Sequence, residues 1–456
     1  MAECALDDRP LELEDLAAHL AEGCRADVDF RVGAEHEKFG FRQGSYAPIP
    51  YDGSDGVEAL LKGLMRFGWS GVYEQNDRGE TLIGLSREGA NISLEPGGQF
   101  ELSGAPLATI HDICAETSRH LRETRAVADE LSLGFLGLGF APTWTLEQVP
   151  VMPKGRYKIM RAYMPKVGGR GLDMRFRTCT VQANLDFGSE ADMVAKFRMS
   201  LALQPVATAL FANSPFTEGR PNGWLSGRAV VWTDTDADRT GMLDFVFEDG
   251  FGFERYAAWA LDVPMYFVKR DGRYVDVSGR SFRAFMAGEL VERPGERPTM
   301  KDWVDHLSTI FPEVRLKTYL EMRGADSGPQ SRICALPALW TGLFYDGAAL
   351  ASAWDLCKHW TPEDRARLRI DAALHGLKAQ VAGRSLRDVA VDMVAIAKEG
   401  LKRRNRLDGA MTDETGYLRE LEEIAHSGVT PAERLLELYH GPWQGDVRPV
   451  FEELAY

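Results

Sequence analysis

Cysteine is sparse and scattered in this chain. Six occur, Cys4, Cys24, Cys114, Cys179, Cys334 and Cys357, and no two form a Cys-x-x-Cys pair. That argues against a zinc knuckle or a thioredoxin-like motif, and composition alone reads all six as reduced, mostly buried thiols. Positive charge is also short. A formal net charge of -15 repels phosphate backbones and anionic lipid surfaces, because affinity for both comes largely from lysine and arginine. No nucleic-acid or membrane partner is expected. No segment approaches the roughly 18 uninterrupted apolar residues of a membrane span. The opening Met1-Ala-Glu-Cys-Ala-Leu-Asp-Asp8 is acidic and lacks the pattern of a secretory signal or an arginine-rich transit peptide, so a cytoplasmic protein is expected. Gly-x-x-x-x-Gly-Lys-Ser/Thr is missing, and Gly137-Leu-Gly139 continues into Phe-Ala-Pro. Any nucleotide is therefore held without a P-loop or a dinucleotide fingerprint.

What is present fits an ordinary folded enzyme. The 456 residues, 45% of them hydrophobic, suffice for a large core without a disulfide scaffold. There is no repeat, low-complexity tract or long Pro/Gly/Ser linker. The expectation is one catalytic unit, with an α+β core over residues 1–350 and a mostly helical region over 351–456 packed on it. From Ser189, apolar residues recur at helical spacing to Ala212. The Ser189 hydroxyl is placed to cap the first turn, and Glu190 and Asp192 complement the helix dipole. Leu386 to Leu401 and Pro431 to Tyr439 also read as amphipathic helices.

Four segments with strand character carry the polar chemistry. Arg31 to Phe41 reads as a strand with Glu35, Glu37 and Phe39 on one face. Two carboxylates then stand about 7 Å apart, which suits neighbouring divalent cations as well as a solvated edge strand. Ile92 to Leu102 places Glu95 before a Pro-Gly-Gly break and Glu101 after it. The break is either a plain hairpin turn or a device that converges both glutamates on one site. Phe176 to Asp186 alternates cleanly, with Cys179, Val181, Ala183 and Leu185 on one face and Thr178, Thr180, Gln182 and Asn184 on the other. The uncharged polar face suits orientation of a zwitterion or a phosphate. Val314 to Gly324 reads as one strand with Tyr319, Glu321 and Arg323 on a shared face. There Glu321 offers a metal oxygen or a structural ion pair, and Arg323 a fixed positive charge for phosphoryl transfer. Arg228 is a candidate bidentate clamp for a substrate carboxylate. Asp234-Thr-Asp236-Ala-Asp238 lacks the glycine and distal glutamate of a calcium loop and reads as surface charge.

These segments resemble the plant-type glutamate–cysteine ligases of plants and many proteobacteria. The likeness is carried by Ala34-Glu-His-Glu-Lys-Phe-Gly-Phe41, Ser93-Leu-Glu-Pro-Gly-Gly-Gln-Phe-Glu-Leu-Ser-Gly-Ala-Pro106, Met152-Pro-Lys-Gly-Arg-Tyr157, Phe211-Ala-Asn-Ser-Pro-Phe-Thr-Glu-Gly219 and Tyr319-Leu-Glu-Met-Arg-Gly-Ala-Asp326. It extends over nearly the whole chain. The resemblance implies an α+β, glutamine synthetase-like fold, in which a curved, mainly antiparallel sheet forms an active-site funnel with helices around it. It implies phosphorylation of glutamate by ATP to a γ-glutamyl phosphate, attack by the cysteine amine, and a requirement for Mg2+. Carried across, Glu35, Glu37, Glu95, Glu101 and Glu321 become metal carboxylates, and Gln182 and Asn184 orient substrate or phosphate. Arg228 holds the glutamate α-carboxylate, Arg323 stabilises the transferring phosphoryl group, and Lys154, Arg156 and Tyr157 line the substrate entrance. Glutamate, cysteine and ATP are the implied partners of a monomer or weak homodimer.

One family cysteine pair, linked in plants to dimerisation, is replaced here by Val277 and Glu292. The other remains as Cys114 and Cys334, which the resemblance implies form a redox-active disulfide near the active-site entrance. Two further readings stand beside the ligase. One keeps the γ-glutamyl phosphate chemistry with another amine acceptor, because no strand motif identifies the pocket that reads a thiol. The other is a non-catalytic metal-binding or thiol-sensing protein.

Overall fold

The computed structural model describes residues 9–456, so the acidic opening and Cys4 lie outside the described residues. Seven strands from the first half of the chain enter one sheet: β1 (Val32–Arg42), β2 (Ser70–Asn76), β3 (Gly79–Arg87), β4 (Ala90–Leu94), β5 (Phe100–Ser103), β6 (Leu133–Leu136) and β7 (Thr180–Leu185). The strands Val314–Leu316 and Leu320–Asp326 complete it as a hairpin beside β7. Across the nine-stranded sheet the order runs from that hairpin through β7, β1, β5, β4 and β3 to β2. Neighbours pair antiparallel. At 11 residues, β1 is long enough to pair with β5 over Glu35 to Lys38 and, farther along, with β6 over Phe39 to Arg42.

Strand alternation separates two chemistries. Val181, Ala183 and Leu185 face backward and are fully buried, packed with the helices Glu190–Leu210, Gln330–Phe344 and Leu386–Arg404 in one hydrophobic cluster. That cluster runs from Leu16 to Ala425 and so draws on both sides of residue 350. The helix Glu190–Leu210 begins where expected, its first turn held by the Ser189 side chain accepting from the Asp192 amide. From Met199 to Leu210 every residue is buried, the pattern of a helix packed on all sides. No single helix among the described residues is long and apolar enough to cross a membrane.

Two segments depart from their expected form. The polar strand begins only at Thr180, because Gly171–Arg177 forms a short helix. Val314 to Gly324 is a hairpin rather than one strand, turning where the Lys317 amide donates to the Tyr319 carbonyl. The sequence hides this turn, since Lys317-Thr318 contains neither glycine nor asparagine.

Candidate active site

The front face of the sheet floors a cavity of about 360 Å³. Glu35 and Glu37 come from β1, Glu101 from β5, and Glu95 from the turn between β4 and β5. That turn is a hairpin and also a converging device. The Gly98 amide donates to the Glu95 carbonyl, and Gly98 has a φ of +85°, a conformation open to glycine. Thr178, Thr180 and Gln182 add the uncharged polar wall read from the sequence.

Register brings the acids together. Glu37 lies directly opposite Glu101, and Glu35 opposite Gln182. Burial, then Glu101 and Glu95, push the Glu37 carboxyl well above its usual range. Burial, with Glu35 and Glu95 nearby, raises Glu101 to about 7. Each acid has a protein partner. The Asn184 amide donates to Glu35 at 2.8 Å, and the Thr180 amide to Glu37 at 3.0 Å. Ser93 and Ser103 donate to the two oxygens of Glu101 at 2.8 and 3.0 Å. Arg175 stands 3.3 Å from Glu95. Among the described residues no three acidic, histidine or cysteine groups close on a single point. The donor set nevertheless fits divalent cations. Hard carboxylate oxygens, crowded and partly desolvated, suit ions that take few protein carboxylates each and complete their shell with water and phosphate oxygens.

Several candidates take different positions from those expected. Glu321 is fully buried beneath the cavity wall. Arg315 reaches both its oxygens at 2.7 and 2.9 Å, Lys317 stands at 3.1 Å, and Arg323 also contacts it. Burial opposes ionisation, but these three cations hold its carboxyl well below the ordinary range. Glu321 is thus the centre of an ion-pair knot, with both oxygens committed to cations. Lys154 and Tyr157 turn away from the entrance, both donating to the Leu94 carbonyl, so they brace the turn that carries Glu95. Of that trio only Arg156 lines the cavity. Asn184 holds Glu35 from outside the lining. Gln182 lines the cavity and accepts from Arg323 at 2.6 Å.

Arg228 and Arg323 are brought side by side, Arg228 donating to the Arg323 carbonyl at 2.8 Å. Arg228 is buried, lines the cavity and leaves its Nε without a partner. Burial pulls its pKa below the usual arginine value, against the pull of Asp326 and Glu37. It rides on the short helix Gly227–Val231, whose cap Ser226 donates to Asp326 at 2.8 Å. Sequence reasoning missed Arg175, Arg315 and Lys317, together with the apolar wall of Met160, Met174 and Phe311. Arg315 and Lys317 do alternate along the chain toward Glu321, but only the unforeseen hairpin folds them onto it.

Cys114 and Cys334 form a disulfide with a Cα–Cα distance of 5.7 Å. It joins the helices Ile110–Glu130 and Gln330–Phe344 within the cluster behind the sheet. Neither cysteine lines the cavity, so the bridge belongs to the back of the sheet rather than to the entrance. The composition reading of reduced thiols is corrected for this pair, while Cys24, Cys179 and Cys357 are free.

Comparison with known proteins agrees with the architecture. The family described as Glutamate-cysteine ligase family 2 (GCS2) matches residues 31–453. A chloroplastic glutamate–cysteine ligase of Nicotiana tabacum is 58% identical over 448 residues, 98% of this chain and 83% of that protein. The chloroplastic enzyme of Arabidopsis thaliana is 56% identical over 455 residues, 100% of this chain and 85% of that protein. A crystal structure of glutamate–cysteine ligase from Francisella tularensis in complex with AMP shares the fold, with a TM-score of 0.52 at 12% identity, covering 94% of this chain and 89% of that one. These relatives are named chloroplastic, which overturns the cytoplasmic expectation. That expectation rested on the composition of a few opening residues, which does not decide compartment.

Proposed function

Because this chain belongs to glutamate–cysteine ligase family 2, we propose that its cavity joins the side-chain carboxylate of glutamate to the amine of cysteine at the expense of ATP, through a γ-glutamyl phosphate. The observation that carries this reading is the meeting of four carboxylates and two adjacent arginines on one antiparallel sheet face. Mg2+ bound at these carboxylates would neutralise phosphate charge and align the γ-phosphoryl group. Glu35, Glu37, Glu95 and Glu101 are the residues that would hold it, each exchanging a present hydrogen-bond or ion-pair partner for the ion. Glu321 contributes by fixing Arg323, whose guanidinium stabilises the transferring phosphoryl group.

Arg228 holds the glutamate α-carboxylate, and Gln182 keeps Arg323 pointed into the cavity. Asn184 orients Glu35, and Arg156 lines the substrate entrance. The two regions divided near residue 350 act as one catalytic unit, as a monomer or weak homodimer. Redox control by Cys114–Cys334 reaches the site through the helices that back the sheet.

Incubation with ATP, Mg2+, glutamate and cysteine, followed by mass spectrometry, tests the reading. Phosphate and γ-glutamylcysteine are expected in equal amounts. Phosphate without the dipeptide rejects cysteine as the acceptor, and neither product rejects the ligase.

A further inference from the structure

Asp234, Asp236 and Asp238 read as surface charge in the sequence. The structure leaves Asp234 and Asp238 exposed but buries Asp236. Its partner is Arg239, fully buried, whose Nε donates to the Asp236 carboxylate at 2.6 Å. An ion pair sealed from water generally adds little stability over apolar side chains of similar volume, so stability alone does not account for this one. The other nitrogens of the guanidinium reach two distant parts of the chain. Nη1 donates to the Thr309 carbonyl at 3.1 Å, and Nη2 to the Pro264 carbonyl at 2.7 Å. The guanidinium also lies over the Tyr266 ring, 4.0 Å from its centre. On the main chain, the Arg239 carbonyl accepts from the Phe311 amide at 2.7 Å.

The segments joined at Arg239 make one wall of the cavity, which Trp232, Phe267, Thr309 and Phe311 all line. The Trp232 and Phe311 rings, their centres 6.0 Å apart, stand against the two adjacent arginines of the site. The Arg323 guanidinium is 5.9 Å from the centre of each ring, and that of Arg228 is 6.0 Å from Trp232. Long side chains keep one direction only when packing locks their rotamers. Where the Phe311 ring sits therefore bears on where both guanidinium groups point.

We propose that Arg239, paired with Asp236, is a positioning residue: it ties Pro264, Thr309 and Phe311 together and so holds the Phe311 and Trp232 rings against Arg323 and Arg228. Neither Arg239 nor Asp236 lines the cavity, so the effect is carried through the wall. Its consequence for turnover rests on the ligase reading above.

Arg239→Lys in the full chain tests this, because it keeps a positive charge for Asp236 and loses the planar fork that reaches Thr309 and Pro264 at once. At a temperature where both chains are folded, kcat for γ-glutamylcysteine formation should fall about 10-fold or more, since small misplacements of aligning groups carry costs of that order. Hydrogen exchange at the Phe311 amide should quicken. A lowered unfolding midpoint with unchanged kcat makes Arg239 a purely structural residue and overturns the proposal. If Arg239→Lys does not fold, the double variant Asp236→Leu/Arg239→Met takes its place with the same expectation, because it leaves no buried charge unpaired. A wild-type kcat in that variant, or failure of both variants to fold, overturns the proposal.

The ligase reading fails by a different result, a wild-type chain that forms no γ-glutamylcysteine. Hydrogen exchange then decides alone, since it needs no substrate: faster exchange at Phe311 in the variant supports the tie, and unchanged exchange overturns it.

Discussion

At the scale of single residues, Glu37 and Glu101 carry raised carboxyl pKa values because they are buried among other acids, the environment that a divalent cation relieves. Glu37→Gln and Glu101→Gln are each expected to fold and to lose about 10²-fold or more in turnover, the scale of electrostatic transition-state contributions. γ-Glutamylcysteine formation at limiting Mg2+ measures this, and near-normal rates would remove both from the cation site. Arg228→Lys keeps the charge and loses the planar fork, so KM for glutamate should rise while KM for ATP changes little. Equal changes would indicate a folding role. A pH effect arises far from the cavity, at His306. It is buried with its Nε2 2.8 Å from the Ala260 carbonyl, and burial outweighs that bond and lowers its pKa from 6.5 to about 4. Below pH 6.5 the unfolded chain takes a proton that the native ring refuses. The stability present above 6.5 is thus lost as pH falls toward 4, on the order of 3 kcal/mol from this group. His306→Phe should flatten that part of a urea-midpoint profile against pH. An unchanged slope would assign it to other groups.

At the scale of elements, the helix Gly227–Val231 is too short to hold itself. Asp326 ties it down, accepting from the Ser226 hydroxyl at 2.8 Å, the Ser214 hydroxyl at 2.7 Å and the Asn213 amide at 2.8 Å. Ser214 in turn accepts from the Arg228 amide at 3.1 Å. Ser226→Ala removes both a helix cap and one of these bonds, at a cost of about 1 kcal/mol. If the element positions Arg228, the variant should raise KM for glutamate more than KM for ATP. A loss of stability with unchanged KM values would limit Ser226 to capping.

At the scale of the whole molecule, the Cys114–Cys334 bridge joins positions 220 apart and restrains the unfolded chain over that span. Chain entropy puts its contribution near 5 kcal/mol, less whatever structure the reduced unfolded chain retains. Cys114→Ser and the dithiol-reduced wild-type chain should therefore show similar, lowered unfolding midpoints. Their activity should fall together if the backing helices transmit the change to the sheet. A dithiol response that persists in Cys114→Ser would remove the bridge from control, while peptide mapping of oxidised protein tests the pairing itself.

Much of the site was determined by local sequence. Period-two alternation put Glu35 and Glu37 on one face and Gln182 on another polar face, and Pro96-Gly-Gly98 marked the turn that returns Glu101 toward Glu95. Helix positions followed from caps such as Ser189. Tertiary structure decided what those signals do not encode. Pairing register set Glu37 against Glu101, and the turn at Lys317-Thr318 folded Arg315 and Lys317 onto Glu321. The Leu94 carbonyl drew Lys154 and Tyr157 away from the entrance, and helix packing carried the disulfide behind the sheet. Local periodicity reports which face a side chain takes. The partner on that face is chosen by strands and helices distant in sequence, which is why composition and spacing could nominate the carboxylates but not distinguish those that line the cavity from the ion-paired Glu321.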